Sequence, residues 1–92
     1  MKYILDFTPK AIEGIRKHQK SGDKQVIKKL DKLLSELREH PTSGEGKPER
    51  LKHYKKEVWS REINRKHRLV YEIFEDTILV EITQAYGHYD DK

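Results

Sequence analysis

The chain has 92 residues, enough for one domain with a small core. Charged residues make up 39% and hydrophobic residues 34%, but the apolar ones are periodic, which argues against a disordered chain. The absence of cysteine excludes disulfide frameworks and thiolate metal sites, and the formal net charge of +4 favours a polyanionic partner.

The opening "MKYILDFTPK" is interrupted too soon for a signal peptide, and no run approaches membrane-spanning length. No membrane association and a cytoplasmic location are therefore expected. "KYILDF" reads as a first strand, with Tyr3, Leu5 and Phe7 on one face and Lys2, Ile4 and Asp6 on the other. Thr8 is suited to cap a helix and Pro9 to open it, since the first helical N–H has no partner to lose. That helix should bury Ala11, Ile12 and Ile15. "SGD" breaks it at Gly22, and Asp23 can cap a second helix.

Val26, Ile27, Leu30, Leu33, Leu34 and Leu37 fall on one face of the second helix. Lys28, Lys29, Lys32 and Glu36 fall on the other. His40-Pro41 should end it, because the residue before proline is pushed out of the helical region. Two helices joined by a short turn should form a hairpin on one face of a sheet.

After the loop "PTSGEG" come three strand signals, "EVWSREI", "RLVYEIF" and "ILVEITQAY", joined by the turns "NRKH" and "EDT". They should make an antiparallel meander. In the middle strand Leu69, Tyr71 and Ile73 alternate with Arg68, Val70 and Glu72. The expected fold is α+β in the order β-α-α-β-β-β, over residues 1–92. A helix hairpin covers one face of an antiparallel-rich sheet, and the other face is left polar and open.

Charge is concentrated on part of that sheet. From Lys47 to Arg68 nine cations stand against three carboxylates, so this segment carries +6 and the remainder −2. RNA cleavage without a metal needs a base for the ribose 2′-OH, an acid for the departing 5′-oxygen and a cation for the crowded phosphorus. Glu49, His88 and Arg68 are residues of those types on separate elements. A chain with 5 His and 16 acidic residues also contains such a trio by chance.

Four motifs add specificity. "GKPERLKH", "WSR", "KHRLVY" and the terminal "HY" occur in an order and spacing that resemble the YoeB/Txe branch of the RelE superfamily of bacterial toxins. The resemblance spans nearly the whole chain and implies a RelE-like, microbial-RNase-like fold. It implies an mRNA interferase that enters the ribosomal A site and cuts mRNA there, leaving a 2′,3′-cyclic phosphate and a 5′-hydroxyl. By the same resemblance Glu49 is the general base, Arg68 stabilises the phosphate charge, His88 is the general acid and Tyr89 positions the scissile phosphate or base. Lys52 is a phosphate contact, and Lys47, His53, Arg61 and Arg65 complete the expected RNA-binding set. No metal and no cofactor are expected. The implied partners are a YefM-like antitoxin, the 70S ribosome and mRNA, and operator DNA within the antitoxin complex; homodimerisation is left open.

Three departures from the family pattern are Glu62 in place of a second arginine after "WSR", Tyr86 in place of a basic residue, and the added tail Asp90-Asp91-Lys92. Two rival readings follow. One is a non-catalytic RNA or ribosome binder of the same fold, the other an interaction module acting mainly within an antitoxin-containing repressor complex.

Overall fold

A computed structural model describes residues 2–52 and 54–87. In chain order the elements are β1 (Ile4–Phe7), α1 (Pro9–Ser21), α2 (Lys24–Leu37), β2 (Glu49–Arg50), β3 (Val58–Glu62), β4 (Arg68–Phe74) and β5 (Leu79–Gln84). The five strands form one sheet in the order β1-β5-β4-β3-β2. β1 lies parallel to β5 and every other pair is antiparallel. The expected α+β architecture holds. The sequence reading omitted β2, whose two residues are too few to show a period.

The helix boundaries follow from local chemistry. The Thr8 hydroxyl accepts the Ala11 N–H at 3.2 Å, and Pro9 opens α1. Gly22 ends it in the left-handed region at φ 72°, which favours glycine. Asp23 then accepts the N–H groups of Gln25 and Val26 to start α2. α2 closes at Leu37, three residues before the His40-Pro41 signal.

One face of the sheet meets the helices. Val26, Leu30, Leu33 and Leu37 of α2 pack with Leu69, Tyr71 and Ile73 of β4 and with Val80 and Ile82 of β5. Leu33 and Leu37 are fully buried, and each stabilises the fold by about 2 kcal/mol. The face assigned to α1 needs one correction. Ala11, Gly14 and His18 are buried and Ile15 is partly buried, but Ile12 is 42% exposed. Gly14 lets α1 approach the end of β5: a Cβ there would lie 2.9 Å from Tyr86 Cβ and 3.1 Å from Tyr86 N.

The opposite face is not uniformly polar. Leu51, Val58 and Val70 form a second small apolar cluster there. The register shifts beside it: Val70 pairs with Gln84 while Tyr71 pairs with Ile82. Thr83 is the extra residue, and its hydroxyl donates to the Val70 carbonyl at 3.2 Å.

Buried Tyr71 ties this core to the loop after α2. Its hydroxyl donates to the Pro41 carbonyl at 2.6 Å and accepts from Arg61 Nε at 3.1 Å. Burial pushes the Tyr71 phenol above its ordinary value of 10.0, and the Arg61 guanidinium offsets part of that rise. A phenol whose folded pKa is raised stabilises the fold below its unfolded pKa and loses that contribution as pH climbs through the folded value. Denaturant midpoints should therefore fall above pH 10, with a smaller alkaline slope in Tyr71→Phe. An unchanged slope in that variant would refute the assignment.

Candidate nucleic-acid interface and catalytic face

The path from α2 to Glu49 is set by backbone geometry. Gly46 and Lys47 both take left-handed conformations, at φ 81° and φ 51°. Gly46 is also tightly enclosed: a Cβ would meet Glu62 O at 3.0 Å, with Arg61 Cβ and Leu33 Cδ2 at 3.1 Å. The Gly46 carbonyl accepts the Glu62 N–H at 2.6 Å. This close turn brings the chain onto the edge of β3, where β2 begins. The "PTSGEG" stretch is therefore part of the site's scaffold.

Cross-strand partners share a face of a sheet. Glu49 pairs with Ser60, Ser60 with Val70, and Glu62 with Arg68. Glu49, Ser60, Glu62, Arg68 and Val70 consequently share the face away from the helices. Glu49 is exposed, and Arg68 is partly exposed at the head of β4. The Ser60 hydroxyl is buried and has no hydrogen-bond partner among the described residues. It sits opposite Glu49, and an unsatisfied buried hydroxyl at such a place requires a functional or structural reason.

The cations next to Glu49 in sequence have other neighbours. Lys47 Nζ lies 3.9 Å from Glu62 Oε1, and Arg50 lies 3.5 Å from Glu57 Oε1. Glu57 also accepts Trp59 Nε1–H at 3.0 Å, and Trp59 packs against the main core. Glu62 does lie on the same face as Glu49, as alternation from Ser60 requires. With Lys47 beside it and Arg68 across the ladder, its charge is locally offset.

One expected RNA contact is overturned. Arg61 is completely buried. Its NH1 donates to Glu36 Oε1 at 2.7 Å, and its NH2 donates to the carbonyls of His40 and Ser43 at 2.8 and 2.7 Å. Odd-numbered residues of β3 face the helices, so this guanidinium braces the loop instead of meeting solvent. Glu36, read from sequence as lying on the solvent face of α2, is its ion-pair partner. Gly44 leaves room for this contact, since a Cβ there would collide with Glu36 Oε1.

The remaining cations of the segment suit a polyanion better. Lys47, Arg50, Lys52, Lys55, Lys56, Arg65 and Lys66 are all exposed. A cleft of about 480 Å³ opens between the exposed ring of Tyr54, with Lys55 and Lys56, and the strand residues Val70, Glu72 and Thr83. Its floor is apolar and its rim cationic. Arg65 lies elsewhere, in the β3–β4 turn, beside a second cavity of about 500 Å³ that also touches His18, His67 and Tyr86. Tyr86, which stands in place of a basic residue of the family pattern, is in contact with the rings of His67 and His18. His53, His88, Tyr89 and the Asp90-Asp91-Lys92 tail lie outside the described residues. Among the described residues no three His, Asp or Glu side chains are grouped to hold a metal ion, and no helix is long and apolar enough to cross a membrane.

Residues 7–89 match the model of the YoeB-like toxins of bacterial type II toxin–antitoxin systems. The chain belongs to this family. The Escherichia coli K12 toxin YoeB is 45% identical over 58 residues, which cover 63% of this chain and 69% of that protein. Among solved structures, a YoeB/ParE toxin from Agrobacterium tumefaciens superposes with a TM-score of 0.84 at 30% identity, over 94% of this chain and 99% of that one. The Staphylococcus aureus YoeB dimer gives 0.79 at 34% identity, and the heterotetrameric YoeB–YefM complex of that organism gives 0.77 at 33%. Each covers 97% of this chain and 100% of its own. As a YoeB-family toxin, the chain has a sheet face and a basic rim to be explained by what such a toxin must grip.

Proposed function

We propose that this YoeB-family toxin is a ribosome-dependent endoribonuclease that cuts mRNA in the A site and is held inactive by a YefM-like antitoxin. The observation that carries this reading is the pairing of β2 with β3 and of β3 with β4. It sets the Glu49 carboxylate and the Arg68 guanidinium on one open face, inside a rim of exposed cations.

The chemistry needs three groups. Glu49 accepts the proton of the ribose 2′-OH, and the freed oxygen attacks the adjacent phosphorus. Arg68 offsets the extra negative charge as the phosphorus becomes five-coordinate. His88 gives a proton to the departing 5′-oxygen as the P–O5′ bond breaks. The products are a 2′,3′-cyclic phosphate and a 5′-hydroxyl, and Tyr89 holds the scissile phosphate or a base in line. Lys47, Lys52 and Arg65 meet flanking phosphates, and His53 stands beside Lys52 in sequence. The cleft under Tyr54 is wide enough for a nucleobase, and its aromatic wall suits stacking.

The partners follow from the same surface. A basic face fits an acidic, partly apolar segment that folds on binding, and the S. aureus relative is found with YefM. By analogy with the S. aureus dimer, the free toxin pairs with itself, and operator DNA is met only within the antitoxin complex. The site of action is the cytoplasm.

Inducing the protein in growing cells and mapping mRNA ends tests the reaction. Growth arrest with cuts inside translated codons is expected, and both should vanish in Glu49→Ala with His88→Ala. A wild-type protein that leaves growth and mRNA intact would exclude the enzyme. Salt-sensitive ribosome binding without cuts would instead establish the non-catalytic reading.

A further inference from the structure

The chain leading to His88 and Tyr89 is gripped from several sides before it reaches them. The Ala85 carbonyl accepts from Nε2 of buried His18 at 2.7 Å. The Tyr86 ring lies 4.3 Å from the His67 ring and 5.0 Å from the His18 ring, with Lys17 Nζ 4.9 Å from its centroid. The Gly87 N–H donates to His67 Nδ1 at 2.9 Å, and the Gly87 carbonyl accepts the Arg68 N–H at 2.9 Å. Gln84 Nε2 reaches the Tyr86 and Gly87 carbonyls at 3.3 and 3.4 Å.

His67 is itself fixed. The Asn64 side chain accepts the N–H groups of Lys66 and His67 at 2.9 Å, so the backbone of the turn that carries the ring is held in place. Accepting a hydrogen bond at Nδ1 requires that nitrogen to be unprotonated. Gly87 has φ 84°, a conformation that glycine tolerates, so the chain turns sharply where His67 holds it.

We infer that His67 is a positioning residue, whose Nδ1 clamps Gly87 beside Arg68 and so fixes the point from which the general acid His88 departs. The inference rests on the proposed reaction and adds a role for the histidine that precedes Arg68 in the "KHRLVY" motif. His67 need not touch RNA. It acts through the backbone, holding Gly87 against the head of the strand that carries Arg68. Small displacements of a catalytic group lower rates by roughly up to 100-fold.

Two substitutions separate the hydrogen bond from ring packing. His67→Phe keeps a ring against Tyr86 and His18 but removes the acceptor. His67→Asn removes the ring but places an amide oxygen near the Nδ1 position. The measurements are the single-turnover cleavage rate on mRNA-programmed ribosomes at saturating toxin, the ribosome affinity, and the hydrogen exchange of the Gly87 amide in ¹⁵N-labelled toxin. His67→Phe should cut the rate by roughly 10- to 100-fold with affinity held within about twofold, and should speed Gly87 exchange. His67→Asn should recover most of the rate and the protection. A fully active His67→Phe, or an Asn variant as impaired as Phe, would overturn the clamp. If wild-type toxin cuts nothing on ribosomes, the proposed reaction falls and the catalytic part of this inference falls with it. Unprotected Gly87 in an active wild type sinks the inference alone.

Discussion

Arg61→Ala should lower the unfolding free energy by about 3–5 kcal/mol. A domain of this size has roughly 5–15 kcal/mol in total, so the variant should sit near the edge of folding. Arg61 gives its hydrogen bonds to five acceptors: Tyr71 Oη, Glu36 Oε1 and the carbonyls of His40, Ser43 and Glu45. Truncation leaves the Glu36 carboxylate partly buried without its cation, and the loop carbonyls without donors. Urea unfolding followed by circular dichroism measures the loss. Glu36→Ala should cost less, because Arg61 then keeps its carbonyl partners. A shift below about 1 kcal/mol for Arg61→Ala would place the residue at the surface after all.

The same contact limits what Arg61 can do for RNA. The loop it braces ends in the Gly46–Lys47 turn, and that turn delivers Glu49 to the ladder. Activity lost in Arg61→Ala should therefore track the unfolded fraction. Ribosome affinity per folded molecule should stay close to wild type, whereas truncating a true phosphate contact weakens binding and flattens its salt dependence.

Most of the architecture was legible because its signals are periodic. The leucines of α2, the Thr8-Pro9 start, the Gly22-Asp23 break and the alternation of β4 each name a face or a boundary, and the structure follows them. β2 was not legible. A two-residue strand has no period, and Glu49–Arg50 is a strand only because the Gly46 turn lays it against Ser60 and Trp59. Ile12 was assigned to the wrong side because apolar character was read without seeing that Gly14 and His18 carry the contact with Ala85 and Tyr86, just past β5. Arg61 was misread for a related reason. Alternation from Ser60 already placed it with Trp59 on the helix side, but its charge outweighed its register. The general lesson of this chain is that a cation in a strand should be assigned by parity first. The clamp on Gly87 had no signal in sequence, since it joins a turn, a helix and a strand end that are distant along the chain.

Glu49→Gln should reduce the single-turnover cleavage rate by about 10²–10⁴-fold, the usual worth of a positioned general base. The amide keeps the size of the carboxylate but cannot take the 2′-OH proton. Ribosome affinity should hold or tighten slightly, because a negative charge leaves a basic rim. On the proposed reaction, Arg68→Ala should cost about 10²–10³-fold by removing the cation that offsets the phosphate charge, with partial recovery in Arg68→Lys. Those two profiles differ from that of Lys52→Ala. Lys52 is exposed beside Leu51, so its loss should weaken binding and lower the salt slope by about one while the saturated rate is kept. Rates measured at saturating toxin and affinities measured across salt concentrations separate the three. If Glu49→Gln cleaved at the wild-type rate, the carboxylate would be only an orienting group or a counter-charge. The buried Ser60 hydroxyl would then be the next group to test at that place, because Ser60 is the cross-strand partner of Glu49 and its hydroxyl has no hydrogen-bond partner among the described residues.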